Sequence, residues 1–413
     1  MSLLQSTNKQ LTGILVFLSL LSIIANNLLF DRIVVAMILA VCLILGSREK
    51  SFVNPYNLFC LTPISLLIYY NFGDVYMVNL THKTFLLGII NMTAFICALN
   101  YTKDFSNISN CIGVRSNRLL IINAFVLLIL GLSARLIPPL QSILWIFSYA
   151  GIVCAIKTKK KTMYLVVIAY FLLSALSGSA SKTSMLTFAV AFLFCYDKYI
   201  ATTEKQKKRV KYLTILGVIF MVLSFSFANK DRGYYDADEG VDIYTSQGME
   251  WNYAANMFMP YMYITNGWTN LQYITETQDT RTYGLWFIKP LLGYIQVEDE
   301  FEAEYEMIPY SSFNTKTFIA CGFKDFGYWL SIISSIFLGI FVKKIYSRYL
   351  ISRSPFDITC YVLVGLATLE MFFSNHFFMQ SYPFTVVILM EIYKRICGSK
   401  EIEIEQNLVI VKK

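Results

Sequence analysis

The chain has 413 residues but few side chains able to do chemistry, and most of these stand at the edges of apolar blocks. Lys182 lies near the end of the small-residue run SGSASKT (177–183). Small residues let a backbone approach a ligand, and the N–H groups opening a following helix favour an anion. A lysine there opposes the helix dipole, so it serves either a phosphate-type ligand or a snorkelling path to water. Arg232, in FANKDRGYYD (227–236), emerges where an apolar block ends. Its planar fork suits a phosphate or lipid headgroup, while Asp231 and Asp236 offer simple pairing instead. Arg281 and Lys289 carry the same ambiguity. In SFNTKTFIACGFKDFGYW (312–329), Asn314, Thr315 and Thr317 suit either sugar hydroxyls or helix capping, and Asp325 suits a helix N-terminus. Glu370 lies inside the apolar run TLEMFFSNHFFMQSYP, with His376 just beyond it. An ionisable group in such a run is expensive and is a functional candidate by default, here as a general base or proton carrier.

These residues are set in a very apolar chain: 56% hydrophobic, 15% charged, mean hydropathy +0.53. Soluble domains carry roughly a quarter charged residues, so this composition excludes a water-soluble enzyme; the aromatic and aliphatic content excludes a disordered chain. Twelve apolar blocks are expected to be helices: 11–30, 33–45, 55–72, 84–99, 119–132, 140–156, 163–176, 183–196, 212–228, 326–342, 356–373 and 383–392. The fold class expected is all-α, a polytopic membrane bundle of about twelve transmembrane helices, several of them short enough to be tilted or broken. With the amino terminus placed in the cytoplasm, 25 of the 35 Lys and Arg fall on that side, and six of the other ten sit in one long loop. Both termini are then cytoplasmic, and the net charge of +8 reads as a topological signal, not as a nucleic-acid footprint.

The division expected is 1–229 for the first nine spans, 230–324 for an extracytoplasmic loop, 325–393 for three more spans and 394–413 for a cytoplasmic tail. The loop holds fourteen acids, six bases and twenty aromatic residues. A loop of this length usually has a task. Its stretches 249–268 and 283–295, the latter beginning at Tyr283, read as helices lying on the membrane face. Their rings serve interfacial anchoring or sugar stacking. Nine cysteines without CxxC spacing and only two histidines, His82 and His376, give no metal centre, and no nucleotide fingerprint is present. No cofactor is expected.

The runs YITNGWTNL (263–271), YGLWFIKPLLGYI (283–295) and NTKTFIACGFKDFG (314–327), in that order, resemble the bacterial oligosaccharide repeat-unit polymerases, the Wzy-type O-antigen polymerases. The likeness spans the twelve-helix layout and roughly 177–330. It departs at Lys182, where that family more often has arginine. The resemblance implies a glycosyltransferase of the bacterial cytoplasmic (inner) membrane. Such an enzyme moves a growing glycan from undecaprenyl pyrophosphate onto a new lipid-linked repeat unit at the outer face, with membrane lipid and a polysaccharide chain-length regulator as partners. It also implies that Lys182, Arg232 and Arg281 neutralise the departing pyrophosphate, that Glu370 or His376 deprotonates the acceptor, and that Asn314, Thr315, Thr317, Asp325 and Tyr283 bind sugar. An O-antigen ligase, a lipid-linked oligosaccharide flippase and a proton-coupled transporter using Glu370 are the alternatives. The ligase family is expected to use a loop histidine, which 230–324 does not contain.

Overall fold

The computed structural model describes residues 2–72, 81–102, 117–133, 141–176, 182–201, 203–227, 251–277, 281–285, 317–373, 377 and 382–397. Among these the chain is helical with no extended strand. In chain order the helices are α1 (Ser2–Ala25), α2 (Leu28–Ser47), α3 (Pro55–Phe59), α4 (Leu61–Phe72), α5 (His82–Tyr101), α6 (Asn117–Ser133), α7 (Gln141–Lys157), α8 (Lys161–Leu176) and α9 (Lys182–Cys195). A π-helical turn (Tyr196–Ile200) follows, then α10 (Glu204–Phe227), α11 (Trp251–Thr277), α12 (Ile319–Ile351), α13 (Pro355–Leu369) and α14 (Tyr382–Cys397). Four helices are long and apolar enough to cross a membrane: 6–25, 28–47, 82–101 and 319–351. With the shorter apolar helices they are compatible with a membrane bundle.

Local chemistry explains the breaks. Asn26 (φ 45°) turns the chain between α1 and α2, and the Asn27 side chain accepts from the N–H groups of Leu29 and Phe30, capping α2. Asn54 caps α3 and is followed by Pro55, which has no N–H to strand in the first turn. The block expected as one helix over 55–72 is interrupted at Cys60, where Pro63 has no N–H to offer the Phe59 carbonyl.

The α1–α2 turn and the start of α5 lie at one end of the bundle, here the upper end. The centre is α5 against α12, where Ser331 and Ser335 hydrogen-bond Asn91, and Gly339 meets Ala98 and the Phe95 carbonyl. Small residues at a helix contact allow this close approach, and paired polar groups hold it. At the lower end, Arg348 of α12 pairs with Asp357 of α13 (2.7 Å) and with Glu391 of α14, and buried Lys394 of α14 lies 3.6 Å from Asp357. Asp197, in the π-helical turn, accepts from Ser51 (2.7 Å) and Tyr349 (2.8 Å) at the same end.

α12 is a hairpin and not one long rod. Gly327 has φ 78° and ψ −171°, a conformation open essentially only to glycine. A Cβ added at Gly322 would meet Ser334 Oγ at 2.1 Å, although twelve residues of straight helix span about 18 Å. The arm 319–326 therefore runs beside 328–334, and the chain reverses at Gly327. Lys324 and Asp325 lie side by side in this arm, both buried. Of the stretch 249–268, expected on the membrane face, residues 251–268 lie in α11, and residues 265–272 of that helix are buried, against α4, α5 and α12.

Candidate functional site

Two levels of polar residues lie along this hairpin. The upper one forms where residues 281–285 pack on the hairpin tip. The Thr282 hydroxyl donates to Asp325 Oδ1 (2.6 Å), and the backbone N–H groups of Thr282 and Tyr283 donate to the carbonyls of Lys324 (3.3 Å) and Asp325 (3.2 Å). Arg281 lies over the Phe323 ring, 4.9 Å from its centroid, and its Nε stands 2.9 Å from where a Gly327 Cβ would be. Gly327 thus serves the turn and also leaves room for the guanidinium. Tyr283 (φ 48°) and Gly284 (φ 95°) are both left-handed, and Tyr283 is 85% exposed. A left-handed tyrosine costs energy, and here the turn throws an aromatic ring outward from a pinned backbone.

The same rim holds the upper end of α5. Tyr328, next to the hairpin turn, donates to the Lys83 carbonyl (2.8 Å), and Lys83 Nζ donates to the Thr275 carbonyl (3.1 Å) near the end of α11. His82 Nδ1 lies 2.5 Å from Asp31 Oδ2, and Ser22 donates to the other oxygen of that fully buried carboxylate. Arg32 lies over the Tyr70 ring at 5.0 Å.

The lower level, or floor, is deep in the bundle. The Phe318 N–H donates to the Met371 carbonyl (3.0 Å), so the start of α12 meets the end of α13, whose C-cap is Glu370. The Phe318 ring lies 6.2 Å from that of Phe95 on α5, and the nine residues from Phe318 to Gly327 put it roughly 13 Å below the hairpin tip. Glu370 is buried, 5% exposed. Gly267 admits the contact: a Cβ there would stand 2.5 Å from the Phe372 carbonyl and 3.2 Å from the Thr317 nitrogen. On the other side, Trp268 donates to Ser65 (2.8 Å) and Tyr69 to Gln272 (3.1 Å), aligning α11 with α4. The floor is polar. Asn266 and Asn270 are fully buried, and the hydroxyls of Thr62, Thr269 and Thr317 have no hydrogen-bond partner among the described residues. Buried groups of this kind are usually satisfied by protein or by ordered water.

Of the residues singled out from sequence, Arg281, Tyr283 and Asp325 come together at the rim, and Thr317 and Glu370 at the floor. Thr317 was expected in the extracytoplasmic loop as a sugar partner or helix cap; it is buried where the arm of α12 enters the bundle. Lys182 opens α9. Arg232, Asn314, Thr315 and His376 lie outside the described residues. Among the described residues no group of three His, Cys, Asp or Glu could hold a metal ion. The Asp31–His82 pair, Arg32 and Lys83 were not singled out beforehand. Asp31 was visible as an acid at the edge of an apolar block, but its partner is 51 residues away and nothing local joins them.

No protein-family model, curated protein or solved structure matches this chain. What the fold defines is a class: an all-helical chain with apolar helices compatible with a membrane bundle, and a polar seam beside a helical hairpin.

Proposed function

We propose that the protein polymerises lipid-linked oligosaccharide repeat units by glycosyl transfer at the outer face of the bacterial cytoplasmic membrane, as the Wzy-type resemblance implies. The observation that carries this reading is the rim. The YG-aromatic and DFG segments, about forty residues apart in sequence, are in contact and bring Arg281, Tyr283 and Asp325 together. In this reading both termini face the cytoplasm, the rim faces outward, and the expected apolar blocks cross the membrane, 55–72 as a broken span. Arg281, with Arg232 and Lys182, neutralises the pyrophosphate as it leaves; aimed charge of this kind is often the largest single contribution to such a reaction. The exposed Tyr283 ring orients sugars, and buried Asp325 holds the segment that carries it. Energy comes from the phosphate–glycan bond of the substrate, so the reaction needs no nucleotide site.

The base expected from sequence was Glu370 or His376. Glu370 lies on the floor, roughly 13 Å below the hairpin tip by helix rise and only 5% exposed, which is a poor place to meet the hydroxyl of a bulky glycan. The broken helices and the buried polar floor also suit a second reading, a flippase or transporter, because irregular backbone at membrane depth is tolerated where it lines a path.

Gel analysis of surface polysaccharide separates these. Cells lacking the gene should show lipid anchors bearing a single repeat unit and no ladder. Wild type should restore the ladder, and Arg232→Ala should not. Loss of all repeat units would favour the flippase, and lipid-linked polymer accumulating within the envelope would favour the ligase.

A further inference from the structure

Resting on the polymerase reading, we propose that His82, held by Asp31, is the general base that takes the proton from the acceptor hydroxyl. His82 opens α5 at the rim, and Asp31, fully buried near the start of α2, engages its Nδ1 at 2.5 Å. Ser22 donates to the second oxygen of Asp31, which fixes the carboxylate from the other side. A carboxylate that accepts from Nδ1 leaves the lone pair of a neutral imidazole on Nε2. Asp31 is the one partner that His82 has among the described residues, and about a fifth of its side chain remains exposed. The basic nitrogen is therefore directed away from the carboxylate. A base oriented by a buried acid is the arrangement that proton-abstracting sites require.

Its surroundings suit the reaction. Lys83 is the next residue, Arg32 follows Asp31, and Tyr328 ties α5 to the hairpin tip on which Arg281 rests. Cations for a leaving pyrophosphate and a base for an incoming hydroxyl thus share one rim. In the step, the acceptor O–H proton passes to His82 Nε2 as the acceptor oxygen bonds to the anomeric carbon. The bond from that carbon to the phosphate oxygen breaks, and its electron pair leaves with the undecaprenyl pyrophosphate. Asp31 stays ionised and stabilises the imidazolium; it is a positioning residue.

The test uses the full-length protein in membranes, with undecaprenyl-pyrophosphate-linked repeat unit extracted from the gene-deleted strain as probe. His82→Asn keeps a donor toward Asp31 and removes Nε2. It should lower kcat about 100-fold or more with KM and melting temperature held, the usual range for losing a general base. Asp31→Asn should lower kcat about tenfold or more at unchanged KM. Added imidazole should restore part of the activity of His82→Ala. A folded His82→Asn protein that polymerises within about threefold of wild type would overturn the assignment and leave the polymerase reading standing. Wild-type protein that makes no polymer from this substrate would overturn both.

Discussion

Asp197 shows how a single residue can work against the bundle that holds it. Burial pushes its carboxyl above the usual carboxylate range, and the hydroxyls of Ser51 and Tyr349 offset this only in part. A carboxyl raised in the folded state favours folding while it is protonated and loses that contribution as pH rises through its folded value. At pH 7 the ionised group is therefore a cost. Asp197→Asn keeps an acceptor for both hydroxyls and removes the charge, so its melting temperature should exceed wild type at pH 7. The gap should close below about pH 4, where wild type is itself protonated. Melting in detergent at the two pH values checks this. At this scale the sequence was informative about residue type and poor about partners. Glu370, Arg281 and Asp325 could be named as candidates because charge beside an apolar run is costly wherever it lies. The Asp31–His82 pair could not, because its members belong to different helices.

The decisive element is the hairpin at Gly327. Its φ of 78° excludes side chains, and Arg281 fills the space a Cβ would occupy. Gly327→Ala should cost about 1 to 3 kcal/mol of stability from backbone strain. It should also displace Arg281 from the tip and lower polymerisation more than stability alone accounts for. Paired melting and ladder measurements on the same preparation separate the two effects. The helices were largely legible in sequence, since among the described residues the expected blocks fall mainly on helix; the exceptions are the turn at Asn26 inside 11–30, the break at Cys60, the reversal at Gly327 and the end of α13 before Glu370. The arm 319–326 was not, because its ten-residue stretch from Thr317 to Phe326 reads equally as a loop end or as the start of a span. Only its packing against Ser331 and Ser334 makes it a returning arm.

Across the whole molecule, the ion-paired lower end ties together the three helices that carry the hairpin and Glu370. Arg348→Ala removes the partner that two acids share, and breaking a buried pair from one side typically costs about 3 to 5 kcal/mol. The expected outcome is lower yield and a lower melting temperature, partly recovered by Asp357→Asn in the same chain, since that removes a stranded charge. A melting temperature equal to wild type would show that Lys394 alone neutralises this cluster. Composition and periodicity by themselves determined an all-helical, apolar chain with its charges at block ends, because hydropathy and helical rise are local properties that add along the sequence. Tertiary structure decided where α11 lies, that α12 folds back on itself, and which charges face one another. Those outcomes depend on which helices touch, and contact between residues fifty to three hundred positions apart leaves no local mark in one sequence.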